Sequence, residues 1–92
     1  MKNTCPCCGY KTLDDIPPGT YEICEICFWE DDIVQFQEPT YEGGANGVSL
    51  LMAQHNFATF GACDKAHIDV VRQPTSEDER AESWYHGNKN LF

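Results

Sequence analysis

Apolar and polar positions change period along this chain, and the changes mark its elements. Residues 10–13 and Thr20-Tyr21-Glu22-Ile23 favour strands; the second run alternates and is rich in β-formers. Between them, Asp14-Asp15-Ile16-Pro17-Pro18-Gly19 has turn composition, so the two runs pair most simply as a hairpin. Ile33-Val34-Gln35-Phe36 reads as a third strand. After a loop over residues 41–47 the period becomes helical. Leu50, Ala53, Phe57 and Phe60 share one stripe, with Ser49 as N-cap and Gly61 as the stop. That stripe needs a surface to cover. The nearest candidate is Ile23, Trp29, Val34 and Phe36, so Leu50, Phe57 and Phe60 are expected to be buried there. The stretch 63–72, with Ile68, Val70 and Val71, fits a strand or a short helix. Ser76-Glu77-Asp78-Glu79 has the pattern of a capping box opening a short helix toward Trp84 and Tyr85.

At 92 residues this is one small domain, 1–92, with three parts. Residues 1–40 form a ribbon with a three-stranded antiparallel sheet, 41–74 a loop and helix packed on it, and 75–92 a C-terminal extension. The fold class is small α+β, and the two Cys-x2-Cys pairs set in residues 1–40 make it a zinc ribbon.

Cysteines supply the chemistry. Cys5 and Cys8, then Cys24 and Cys27, are two Cys-x2-Cys pairs with fifteen residues between them. Two thiolates three positions apart grip a tetrahedral ion from one tight turn, and a second turn completes the shell. Pro6 fixes one φ in the first turn, and Gly9 tolerates the positive φ that lets amides face sulfur. Four thiolates leave no position open for substrate or water. One structural zinc is therefore expected, and no catalysis. No apolar run leads into Cys5 and none of about twenty residues occurs anywhere, so a cytoplasmic protein without disulfides or membrane spans is expected.

Charge narrows the partners. Fifteen acidic residues against six Lys plus Arg give −9; a dication on four thiolates takes the loaded protein to about −11. Residues 21–47 contain no Lys or Arg but carry Glu22, Glu25, Glu30, Asp31, Asp32, Glu38 and Glu42. Such a face repels nucleic acid, which leaves a nucleic-acid-associated zinc ribbon as a minor alternative. It attracts a basic protein instead. The partner contacts expected are Glu22, Glu25, Glu30, Asp31 and Asp32, with Trp29 or Tyr41 as aromatic anchors.

The remaining reactive residues have plainer readings. Cys7, beside ligand Cys8, is read as a free thiol directed away from the ion, and Cys63 as a small buried hydrophobe. A thiol-dependent enzyme or redox sensor using Cys7 or Cys63 is the competing function. It needs a base such as His55 or His67, an orienting group and oxyanion donors. Cys63 and His67 alone make a poor second metal site, and His55 is read as solvent-facing. Gly43-Gly44-Ala45-Asn46-Gly47 precedes a helix but lacks the lysine of a phosphate loop, so it is read as a loop needing positive φ.

Several of these motifs carry a resemblance. Cys5-Pro6-Cys7-Cys8-Gly9-Tyr10, then Tyr21-Glu22-Ile23-Cys24-Glu25-Ile26-Cys27-Phe28-Trp29-Glu30-Asp31-Asp32, and Gly43-Gly44-Ala45-Asn46-Gly47-Val48-Ser49-Leu50 resemble the bacterial CPCC family of small cysteine-rich proteins. The likeness spans about residues 4–74, its tail running from Asn56-Phe57 through Phe60-Gly61-Ala62-Cys63 to Val71-Arg72-Gln73-Pro74. Met52 departs from it, standing where an acidic residue would complete a capping box with Ser49. The resemblance implies a bacterial zinc ribbon. Small acidic proteins of this kind often sit beside polymorphic toxin genes, which suggests an immunity protein that neutralises a cognate toxin through its acidic face.

Overall fold

Each cysteine pair closes its own turn. In the computed structural model, which describes residues 2–81, the Gly9 amide donates to the Cys5 carbonyl (2.9 Å) and the Cys5 amide to the Tyr10 carbonyl (2.9 Å). The second turn repeats this pattern, Phe28 to Cys24 at 2.7 Å and Cys24 to Trp29 at 3.0 Å. Both turns need a positive φ at their fifth residue, 81° at Gly9 and 71° at Phe28. Glycine adopts it freely, whereas a phenylalanine there costs on the order of 1–2 kcal/mol.

The first turn sits in an antiparallel hairpin of β1 (Asn3–Thr4) and β2 (Lys11–Leu13). The sheet therefore has two strands, not the expected three. Residues 20–23 do not pair with β2; Ile23 instead makes an isolated bridge to Glu30 across the second turn. The expected third strand is a helix, α1 (Ile33–Gln37). Asp32 starts it, its Oδ1 accepting the amides of Val34 (2.8 Å) and Gln35 (3.1 Å). The helix also turns one of its two glutamines inward. Gln35 is buried, while Ile33, Val34 and Phe36 are exposed.

Helix α2 (Leu50–Phe60) forms where its stripe and caps place it. The Ser49 hydroxyl accepts the Met52 amide at 3.1 Å, so the cap forms without an acidic residue at 52. Gly61, at φ 85°, ends the helix by donating to the Phe57 carbonyl. Leu50 and Ala53 enter the core, and half-buried Phe57 sets its edge against Tyr10, with ring centroids 6.3 Å apart. Phe60 is half-buried too. Of the four residues expected beneath this helix only Trp29 is buried; Ile23, Val34 and Phe36 are exposed.

The chain beyond α2 straps the turns. Within 63–72 lies a 3₁₀ helix, Lys65–Val70. The Cys63 and Arg72 amides donate to the Cys27 and Glu25 carbonyls along the second turn. The Lys11 amide donates to Glu79 and the Ala81 amide to Gly9 along the first. Residues 75–78 make a turn, the Asp78 amide donating to the Thr75 carbonyl, where a capping box was expected. Trp84 and Tyr85 lie outside the described residues. Among the described residues the buried cluster has eleven members, six of them cysteines, so the core is built around sulfur. No helix among the described residues is long and apolar enough to cross a membrane.

Candidate metal centre

The two turns face each other and bring Cys5, Cys8, Cys24 and Cys27 together, fully buried, with all four Sγ atoms within 4.8 Å of one another. Cys5 and Cys27 are 3.6 Å apart, and Cys8 and Cys24 3.7 Å. Those distances are far beyond a sulfur–sulfur bond of about 2.05 Å, and all six cysteines are free thiols. They match the edge of a tetrahedron with ~2.3 Å metal–sulfur bonds, which is about 3.8 Å. The four cysteines can hold one metal ion.

Donors around the sulfurs fit an anionic shell. The Ile26 amide points at Cys24 Sγ and the Trp29 amide at Cys27 Sγ, each at 3.4 Å. The Thr12 hydroxyl donates to Cys24 Sγ at 3.1 Å. Hydrogen bonds from Cys27, Cys5 and Cys8, with help from Thr12, hold the Cys24 thiol far below its ordinary range. Burial pushes Cys5, Cys8 and Cys27 well above theirs. Four buried sulfurs in this balance ionise together only around a cation.

Neighbouring elements clamp the turns from outside. Gln54 on α2 donates to the Pro6 carbonyl at 3.0 Å, and the Arg80 guanidinium to the Cys8 carbonyl at 2.8 Å while lying over the Tyr10 and Phe57 rings. Thr12, Gln54 and Arg80 are contributors that sequence reasoning missed. Their signal is tertiary, and no local pattern marks them.

Cys7 is a free thiol, fully buried in the core, and stays outside the group of four. Cys63 is buried as expected, its thiol pushed up by burial and then by Cys7 and Asp64. Cys63 and His67 are not drawn into a second site; among the described residues the tetrad is the one group of three or more potential ligands within reach of an ion. The His67 ring packs on Phe28 with centroids 4.4 Å apart, and His55 is on the exposed side of α2.

Of the acidic residues expected to meet a partner, Glu22, Glu25, Asp31 and Asp32 have structural duties. Glu22 accepts the Asp14 and Asp15 amides at 2.7 and 2.9 Å. Glu25 pairs with Arg72, which also grips Asp78. Asp31 is buried; its Oδ2 accepts the Thr20 amide, and its Oδ1 has no partner among the described residues. Asp32 is buried too, capping α1 and accepting the Ala45 amide at 2.9 Å. Burial pushes its carboxyl up, but the amides of Ala45, Gln35 and Val34 outweigh that and hold it below the usual range. Trp29 has no exposed surface, whereas Tyr41 is exposed and Glu30 half-exposed.

The glycine-rich loop is held from within. Gly43, Gly44 and Gly47 do not have the positive φ expected of them. Gly44 is needed for close approach: a Cβ there would lie 2.6 Å from the Gln35 side chain and 2.7 Å from Asp32 Oδ2. The Asn46 amide donates to Gln35 Oε1 at 3.1 Å, and the Asn46 side chain grips both backbone groups of Glu30. The amides at Ala45 and Asn46 are thus used internally rather than aimed at an anion.

A comparison with curated proteins finds no match. The family model for cysteine-rich CPCC proteins matches residues 3–78, a span that includes every residue of the tetrad and its supports through Asp78. The chain belongs to that family.

Proposed function

We propose that this cysteine-rich CPCC protein is a non-catalytic zinc-binding protein whose working surface binds another protein. In its most concrete form it is an immunity protein that neutralises a cognate bacterial toxin. One observation carries the metal half of the reading: four buried thiols with edges of 3.6 and 3.7 Å. Four soft thiolates in a tetrahedron suit zinc, and a complete shell leaves no site for a substrate. The ion's task is then to hold the two turns together. In small zinc domains this is worth on the order of 10–16 kcal/mol, as much as a domain's whole net stability.

The partner half rests on charge and on the family resemblance. The net charge of −9 favours a basic partner and disfavours nucleic acid. The competing reading, a thiol enzyme or redox sensor, is weakened by burial of both Cys7 and Cys63 and by the raised Cys63 thiol.

Native mass spectrometry with elemental analysis tests the metal, with one zinc per chain expected. Co-purification with the product of the adjacent gene, and rescue of growth when that product is expressed, test the partner. Two ions per chain, or a folded chain without metal, would falsify the first half. An adjacent product that neither binds nor harms growth overturns the second.

A further inference from the structure

We propose that the outward face of α1, with the turn after it, is the surface on which this protein docks a basic, apolar-striped polypeptide segment. The inference rests on the protein-binding reading above and moves its surface away from Glu22, Asp31 and Asp32, whose carboxylates are engaged internally.

The apolar part comes from the inversion of α1. With Gln35 turned inward, Ile33, Val34 and Phe36 are directed outward, 37, 43 and 41% exposed, and Tyr41, 43% exposed, stands in the next turn. That turn is tied to the helix by the Tyr41 amide on the Glu38 carbonyl and by Gln35 Nε2 on the Tyr41 carbonyl (3.1 Å). The face is also stiffly mounted. Beneath it Gln35 bonds the Val48 carbonyl and both the amide and side chain of Asn46, and Asp32 pins the helix start to Ala45. A preorganised apolar face loses little entropy on binding.

Charge identifies the occupant. Glu30, Glu38 and Glu42 flank these residues in sequence, and no described Lys or Arg pairs with them. The whole stretch 12–64 contains no Lys or Arg. The described cations lie elsewhere, and most are engaged: Lys2 with Asp14, Lys11 with Glu79, Arg72 with Glu25 and Asp78, and Arg80 with the Cys8 carbonyl. A second copy of this chain would bring the same acids against themselves, and nucleic acid would be repelled. A segment with Leu, Ile or Phe along one side and Lys or Arg at its margins meets both features, its apolar groups covering Val34 and Phe36 and its cations answering the glutamates.

The test uses full-length zinc-loaded protein and three synthetic 18-residue peptides: an amphipathic Leu/Lys helix, a scramble of the same composition, and a Leu/Glu helix. Binding is read by calorimetry and by amide chemical shifts. The Leu/Lys helix should bind and shift α1 and residues 38–42, with the other two much weaker. V34S with F36S should weaken it about tenfold or more without changing zinc content. E38Q with E42Q should mainly slow association and flatten its salt dependence. Equal binding of the scramble, or affinity unchanged by V34S with F36S, overturns the proposal. So does a concentration-dependent dimer dissolved by the same pair of substitutions, which would make a second copy the occupant. Shifts confined to another surface sink this site but leave the protein-binding reading standing. No binding by any peptide, together with no capture by the adjacent gene product, sinks both.

Discussion

Replacing Asn46 by alanine tests whether the polar interior under α1 is as important as its geometry implies. Its side chain, 8% exposed, accepts the Glu30 amide at 2.9 Å and donates to the Glu30 carbonyl at 2.8 Å and to Gln35 Oε1 at 2.9 Å. Each such bond is worth about 0.5–1.5 kcal/mol net, and a buried partner left unsatisfied raises the cost toward 1–3 kcal/mol. Gln35 Oε1 keeps the Asn46 backbone amide, so it is not orphaned. The Glu30 amide loses its partner while the Glu30 carbonyl keeps the Asp32 amide at 2.8 Å, and Glu30 sits where the chain leaves the second cysteine turn. The expected loss is about 3 kcal/mol. For a domain of this size that lowers the melting temperature by roughly 12–24 °C. Thermal unfolding followed by circular dichroism measures it, with free zinc buffered at one value because bound metal shifts apparent stability. Zinc stoichiometry should stay at one, since no ligand is touched. A second variant, Asn46→Asp, keeps the acceptor but loses the donor and sets a charge against the Glu30 carbonyl, so it should be no more stable than the alanine variant. A loss below about 0.5 kcal/mol in Asn46→Ala would mean that water replaces these bonds easily, and the reasoning would fail.

Stripping the ion with a strong chelator should abolish the cooperative unfolding transition, and Cys24→Ser should reproduce that state; near-native spectra after either would show that the apolar core suffices. Metal binding must displace thiol protons, so calorimetry in buffers of different ionisation enthalpy should show proton release at neutral pH, and the ion should be lost on acidification. Phe57→Ala should cost about 1.5–3 kcal/mol, below the ~3–5 kcal/mol of a fully enclosed phenylalanine, because its ring is only half-buried against Tyr10; urea titration reads the difference. Thr12→Val removes the hydroxyl from Cys24 Sγ with little change of volume, and should weaken zinc affinity in a competitive chelator titration while leaving the fold intact.

What was legible in the chain was what local rules decide. Ligand spacing identified the tetrad, and Ser49 and Gly61 bounded α2 because caps are chosen by residues one to three positions away. Residues 33–36 were misread because four residues of alternation also fit one helical turn, and because apolar side chains were assumed to face inward. Here the interior beneath them is made of Asp32, Asn46 and the Tyr41 and Val48 carbonyls, so the amide of Gln35 belongs inside and the hydrocarbon outside. The partner of β2 was mistaken for a similar reason. Residues 20–23 have strand composition, but β1 is tied to β2 by the turn that carries the first two ligands. Asp31 and Asp32 looked like exposed charge because nothing in a sequence shows which amides a carboxylate will meet.

The arrangement of the two cysteine turns also says where the chain tolerates extra length. Each turn closes its own backbone ring, so an ion between them acts as a cross-link around the segment joining Cys8 to Cys24. The entropy of closing such a ring grows only with the logarithm of its length, about 0.6 kcal/mol per doubling. Part of that segment is committed, Leu13 to the core and the Asp14 and Asp15 amides to Glu22. Ile16, 79% exposed, is not. A short flexible insert placed directly after Ile16 should therefore leave the ion, the helices and both turns where they are. That position is a natural port for a fluorophore or an epitope.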